Sequence, residues 1–225
     1  MATYGQSDVQ IFNRALARLG VTLYPVTAVD GTDTVSTYGP IAGLEYQPVR
    51  NEVLRGHDWL FAINRILLNA APSSQVNNTG FWYMYLVPTD SLRVLYCYSV
   101  LPQWYTTYPY KHIHISKAPF IEEKGIIYTD LDQANNNPYA VYIQEQPLGT
   151  TWYEHLFVDA LVLRLAARIA TAVTGEALDQ KARNAIMAEY AGVIAEAKGK
   201  NLMEKEDDLQ ESGQNWWTDR SRWTQ

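Results

Sequence analysis

Apolar positions recur at helical spacing near the start of the chain. Val9, Phe12, Leu16 and Leu19 share one face, with Gln10, Asn13, Arg14 and Arg18 mostly off it. Ser7 and Gln10 stand at capping-box spacing, where each side chain takes up a free amide of the first turn, and Gly20 suits a left-handed terminator. The pattern predicts a helix over 7–20. A polar loop follows, "VDGTDTVSTYGP" (29–40). Asp30 and Asp33 offer oxygens to a calcium ion but lack the full acidic loop spacing, so the loop reads as a solvated turn. From Ile41 to about Phe61, Leu44, Val49, Val53, Leu54 and Trp59 predict a second helix, which Pro48 either starts or kinks.

Over 63–146 the period falls to two. "FWYMYLVP" (81–88), "SLRVLYCYSV" (91–100), "KHIHIS" (111–116), "KGIIYTD" (124–130) and "YAVYIQEQ" (139–146) are aromatic and β-branched, with Pro, Asn, Gly and Asp between them. They predict a small antiparallel sheet. At Thr151 the helical period returns, with Thr151 and Glu154 at capping-box spacing and a run to Gly175 that is apolar nearly all round. Leu156, Ala160, Leu163, Ala167 and Ala170 form one stripe, with Phe157, Leu161, Leu165 and Ile169 beside it. Such a helix belongs at the centre of a bundle or between subunits. Glu176 to about Lys198 predicts an antiparallel partner that buries Ala182, Ile186, Tyr190, Val193 and Ala197. After Lys200 no helical stripe is left, and 201–225 carries six acidic and three basic side chains, the composition of an extended arm.

The expected fold class is therefore α+β. A helical bundle built from 1–62 and 147–200 carries a small antiparallel β domain inserted at 63–146 and an extended C-terminal arm at 201–225.

Composition narrows the function classes. Of 225 residues 47% are apolar, enough for a sizeable core. A net charge of −6 argues against tight duplex-DNA binding, which needs a basic surface to displace counterions. The lone cysteine, Cys97, cannot form an internal disulfide. The start "MATYGQSD" lacks a signal-peptide pattern, and charges interrupt every apolar run before it could span a bilayer, so no membrane partner is expected.

Candidate chemistry is sparse. His112 and His114 share one face of a strand and could hold zinc with a third ligand from His155, Glu122 or Glu123, but such a pair is more often a surface or interface ladder. His57-Asp58 reads as a helix-terminus pair. Glu122 and Glu123 point apart on a strand, and Cys97 reads as a buried, inert thiol. A serine nucleophile elbow, a Walker loop and a dinucleotide glycine fingerprint are absent, so neither an enzyme nor a cofactor is expected. Asp159, Arg164 and Arg168 are either the wet edge of the long apolar helix or ion pairs between subunits of a ring.

The order of parts carries a resemblance. "NRALARLG" (13–20), "YQPVRNEVLRGHDWLFA" (46–62), "FWYMYLVPTDSLRVL" (81–95), "GIIYTD" (125–130) and "FVDALVLRLAARIA" (157–170) follow one another over most of the chain. In this the chain resembles the tail tubular protein A family, the head-to-tail adaptors of short-tailed bacteriophages. The resemblance implies a structural virion protein, assembled in the host cytoplasm. It would form a dodecameric ring beneath the portal and above the tail nozzle, with double-stranded DNA passing through unbound. On that reading 201–225 is a docking arm for the portal or a neighbouring subunit, anchored by Trp216, Trp217 and Trp223 with Arg220 and Arg222 at the rim. The loop 21–40 and the turn 101–110 become candidate contacts to nozzle or neighbour. A different class remains open: a carbohydrate- or receptor-binding tail module using Trp82, Tyr83, Tyr85, Trp104, Tyr105, Tyr108 and Tyr110.

Overall fold

Ser7 caps helix α1 (Asp8–Arg18) as its spacing predicts: the Gln10 N–H donates to Ser7 Oγ at 3.3 Å, and the Ser7 N–H donates to Gln10 Oε1 at 3.0 Å. Gly20 ends the turn beyond it at φ +80°. The computed structural model describes residues 6–21, 25–72, 77–100, 115–132, 137–150, 152–174 and 180–213, with the backbone alone described at 100, 115–116 and 202–213. Two helices (α1 and α2), seven strands and two further helices (α3 and α4) follow in chain order, an α+β fold with two small antiparallel sheets.

The chain divides into two units, 1–53 with 149–225 and 54–148. The helical unit contains α1, α2 (Gly39–Gly56, but for its last turn), α3 (His155–Thr174) and α4 (Gln180–Gly213). α2 runs through Pro48 instead of starting there, and its helix ends before Trp59. A proline at 48 has no N–H for the Leu44 carbonyl. Leu44 (75% exposed) and Pro48 both lie on the solvent side, where water can serve that carbonyl. α3 packs against both α1 and α4 and is buried on most of its circumference, from Leu156 and Phe157 through Leu161 and Leu165 to Ala170. It begins at His155, so the turn expected from Thr151 is not helical over 152–154, and Thr151 itself lies outside the described residues.

α4 buries the face its periodicity marks out. Ala197 is buried and Ile186, Tyr190 and Val193 half-buried, but Ala182 is exposed. The helix does not stop near Lys198. It continues to Gly213, which corrects the boundary of the arm: 201–213 is helix, and only 214–225 lies beyond it. An apolar stripe is what periodicity detects, and residues of high helix propensity such as Glu, Lys, Leu, Met and Gln extend a helix without one.

The β unit holds two sheets packed around one apolar core. β1 (Ile63–Leu67), β3 (Ser91–Val100), β4 (Ile115–Ala118) and β7 (Pro138–Gln144) form one sheet in the order β1-β7-β3-β4. β2 (Tyr83–Leu86), β5 (Phe120–Glu123) and β6 (Ile126–Thr129) form the other, in the order β2-β6-β5. Two corners join them. Pro119 alone separates β4 from β5, so one run of chain passes from the first sheet into the second. On the other side the chain leaves β1 and runs along β2, where the Leu86 N–H donates to Asn69 O and the Ala71 N–H to Met84 O, both at 2.9 Å. A strand that bends from one sheet into the other is a common way to form the corner of a sandwich. Tyr85, Val94, Cys97, Ile127, Leu131, Ala140, Tyr142 and Leu68 fill the space between. The β5–β6 hairpin turns on Lys124 and Gly125, both at positive φ, as a two-residue primed turn requires.

Candidate interaction surfaces

The wet edge of α3 carries a belt of charges. Asp159 Oδ1 accepts from Arg14 Nη2 of α1 at 2.9 Å, while Asp159 Oδ2 meets His155 Nδ1 at 3.2 Å. Arg164 pairs with Glu52 of α2, and Arg168 Nε donates to Glu45 Oε2 at 3.0 Å. Asp159, Arg164 and Arg168 therefore all have partners inside their own chain. Arg18 Nη2 reaches Glu189 Oε1 of α4 at 2.6 Å. The two α1 arginines, one turn apart, thus stand along a cleft of about 430 Å³ between α1, α3 and α4, floored by Ala17, Val162, Leu163 and Val193.

Beneath this belt lies a buried polar network. Asp8 (4% exposed) accepts from the Tyr46 hydroxyl at 2.5 Å, the Tyr153 hydroxyl at 3.3 Å and the Gly149 N–H at 2.7 Å. Arg50, fully buried, donates to Tyr153 Oη at 3.1 Å and Gln47 Oε1 at 2.6 Å, with Nη1 at 3.9 Å from Asp8 Oδ1. Burial and the adjacent Asp8 charge raise the Tyr46 hydroxyl far above its ordinary value. Burial also pushes Tyr153 up to about 12, against the pull of Arg50. Both phenols stay protonated donors near neutrality. The network is a structural joint that ties three separate pieces of chain together.

Asp8, Tyr46, Arg50 and Tyr153 do not stand out as a group along the chain. Their signal is faint but physical: Tyr46, Val49, Arg50 and Val53 share the buried face of α2, and an arginine inside an apolar stripe needs an anion.

The loop before α2 is organised by Asp33 and is less solvated than its composition suggests. The Asp33 carboxylate is buried and accepts from the N–H groups of Thr27 at 2.6 Å and of Val35 and Ser36 at 3.0 Å. These bonds, Thr27's foremost, hold its carboxyl well below the usual range. Asp30 accepts from Thr32 N–H and Oγ1. Both candidate calcium ligands thus spend oxygens on their own loop. Gly39 fits tightly behind it, since a Cβ there would stand 2.2 Å from the Asp33 carbonyl oxygen.

In the β unit the aromatic candidates separate. Tyr85 is core, its hydroxyl donating to Leu131 O. Tyr83 is 37% and Trp82 82% exposed. Trp104, Tyr105, Tyr108 and Tyr110 lie outside the described residues, as do His112 and His114. Glu122 and Glu123 alternate on β5. Cys97 is buried in the core, and burial, with the charge of Glu122, pushes its thiol up to about 12, where it is a poor nucleophile. His57 follows α2 and packs edge-on against Trp59, centroids 4.7 Å apart. Trp216, Trp217, Arg220, Arg222 and Trp223 lie outside the described residues.

No protein-family model matches this chain, and no curated protein matches it. Among the described residues no helix is long and apolar enough to cross a membrane.

Proposed function

We propose that this chain is a structural head-to-tail adaptor of a bacteriophage virion, one copy of a ring between portal and tail nozzle. The observation that carries the reading is the order of parts. Segments from both ends of the chain build one helical unit around the buried α3, and a β unit of two antiparallel sheets is inserted at 54–148. The resembling fragments have the same order, with the helical fragments flanking the strand fragments. A net charge of −6 supports a conduit, because a wall that repels phosphate lets duplex DNA slide where a basic wall would grip it. The partners on this reading are further copies of the chain, the portal, the nozzle and DNA in transit. No catalytic step is assigned.

The test is the mass of the full-length protein, alone and mixed with its portal. A defined multi-copy ring on the portal is the expected result, and a monomer that ignores the portal overturns the proposal. The exposure of Trp82 favours one second reading, a carbohydrate- or receptor-binding tail module. Glycan binding by the wild-type protein that is abolished in Trp82→Ala would move the assignment there.

A further inference from the structure

We infer that β units of neighbouring copies stack head to tail, the outer face of the three-stranded sheet of one copy against the outer face of the four-stranded sheet of the next. The inference rests on the self-association proposed above and names the surfaces that perform it.

An antiparallel sheet with one face in water alternates apolar and polar side chains. Here the alternation fails on both sheets. In the three-stranded sheet Tyr85 and Ile127 point into the core, so Met84, Leu86, Ile126, Tyr128 and Ile121 point out. Leu86 is 43% and Ile121 39% exposed. Glu123 stands opposite Ile126 on that face, and the exposed Asp130 and Trp82 flank it, the Trp82 N–H donating to Asp130 Oδ1 at 3.1 Å. In the four-stranded sheet Cys97 and Ala140 point in, and Leu67, Tyr139, Tyr98 and Lys117 form one row across the other side. Leu67 is 40% exposed, and the rings of Tyr98 and Tyr139 stack with centroids 5.4 Å apart. Lys117 Nζ lies 4.4 Å from the centre of the Tyr96 ring, and the exposed Arg65 stands next to the row, opposite Val141.

Charge selects a second copy as the occupant. The three-stranded face carries the carboxylates of Glu123 and Asp130, the four-stranded face the cations of Arg65 and Lys117. Among the described residues none of these four is in an ion pair. The two sheets pack on one core, so their outer faces point in opposite directions, and each copy offers the complement of both. The corners set β2 on the side of β1 and β5 on the side of β4. A copy stacked in the same orientation therefore brings Glu123 towards Lys117 and Trp82 towards Arg65, an ion pair and a cation–π contact. One such contact, repeated, covers both apolar faces of every copy, whereas a two-fold contact covers one face and leaves the other in water. Head-to-tail contacts close into a ring when their rotation permits.

Exchanging the charges in the full-length protein reads this directly. Arg65→Glu/Lys117→Glu makes both faces acidic. Glu123→Lys/Asp130→Asn makes both cationic, with the asparagine keeping an acceptor for the Trp82 N–H. All four side chains are exposed, so the circular dichroism of each variant should match the wild type. Mass is measured under the conditions in which the wild type assembles, alone or on its portal. Each variant by itself should lose multimer by about tenfold or more, since like charges then face each other. An equimolar mixture of the two should recover it, because every acidic face again meets a cationic one. The milder Arg65→Gln/Lys117→Gln replaces a reversal that does not fold, with an expected loss of about threefold. Undiminished assembly of a folded variant, or a mixture that fails to recover, overturns the stacking and leaves the ring standing. A wild type that stays monomeric alone and with its portal overturns the ring as well.

Discussion

The two units solve the same packing problem with different interiors. The β unit is filled almost wholly by apolar and aromatic side chains, Val94, Cys97, Ile127, Ala140 and the ring of Tyr85 among them. Its identity comes from strand pairing and from the corners at Pro119 and Leu68–Ala71. The helical unit buries a carboxylate that accepts from two phenols and a backbone amide, and a guanidinium that donates to one of those phenols. An apolar interior tolerates repacking. A hydrogen-bonded one admits a single arrangement, because each donor left without an acceptor in low dielectric is costly. Strands already have a register imposed by their ladders, whereas helices slide and rotate on greasy faces, and the Asp8–Arg50 joint removes that freedom.

This contrast breaks first at Arg50. Arg50→Met keeps the bulk and strands the Asp8 charge, so stability should fall by about 3–5 kcal/mol, read from denaturant midpoints. Combining it with Asp8→Asn should cost less than the two single changes summed, because the charges are coupled. Equal additivity would show that Asp8 and Arg50 act independently.

The β unit should be more forgiving of polar loss. Tyr85→Phe keeps the ring and removes only the donor to Leu131 O, an expected loss of about 1–3 kcal/mol. On the surface, Arg168→Gln separates an ion pair open to solvent and should change stability by no more than about 1 kcal/mol, less in high salt. A larger loss would mark the α3 belt as part of the joint.

The smallest effect is local and depends on pH. The folded Asp33 carboxyl titrates below its ordinary value of 3.8, so its contribution is fully present above that value and disappears as pH falls through the folded pKa. Amide exchange at Thr27, Val35 and Ser36 should therefore quicken in acid before the strand amides of β6 and β7 do. Simultaneous loss in all of them would show that the loop is not an independent element.

Much of the fold was legible in the chain because it is written in short-range pattern. The α1 cap needs only Ser7 and Gln10, and the burial of α3 needs only its own apolar circumference. The strands at 83–86, 91–100, 126–129 and 138–144 announce themselves by β-branched and aromatic density. β1 and β5 escaped notice, since "INRIL" and "FIEE" are short and lack regular apolar alternation. The end of α4 was missed because 201–213 carries no apolar stripe of useful length in its sequence. Of the candidate surfaces, the charges on α3 could be named from sequence, but their partners Arg14, Glu45 and Glu52 could not.

The sequence by itself determined where helices and strands would form and that a helical part would frame a β part. Those choices depend on residues a few positions apart, whose caps, turns and faces interact whatever the rest of the chain does. Only the tertiary structure decided that Asp8 meets Tyr46, Gly149 and Tyr153, residues 38 to 145 positions away. It alone joined the two sheets at their corners and opened a cleft over Leu163 and Val193. Hydrogen-bond donors and acceptors are common along any chain, and periodicity records which face is buried without recording what it is buried against.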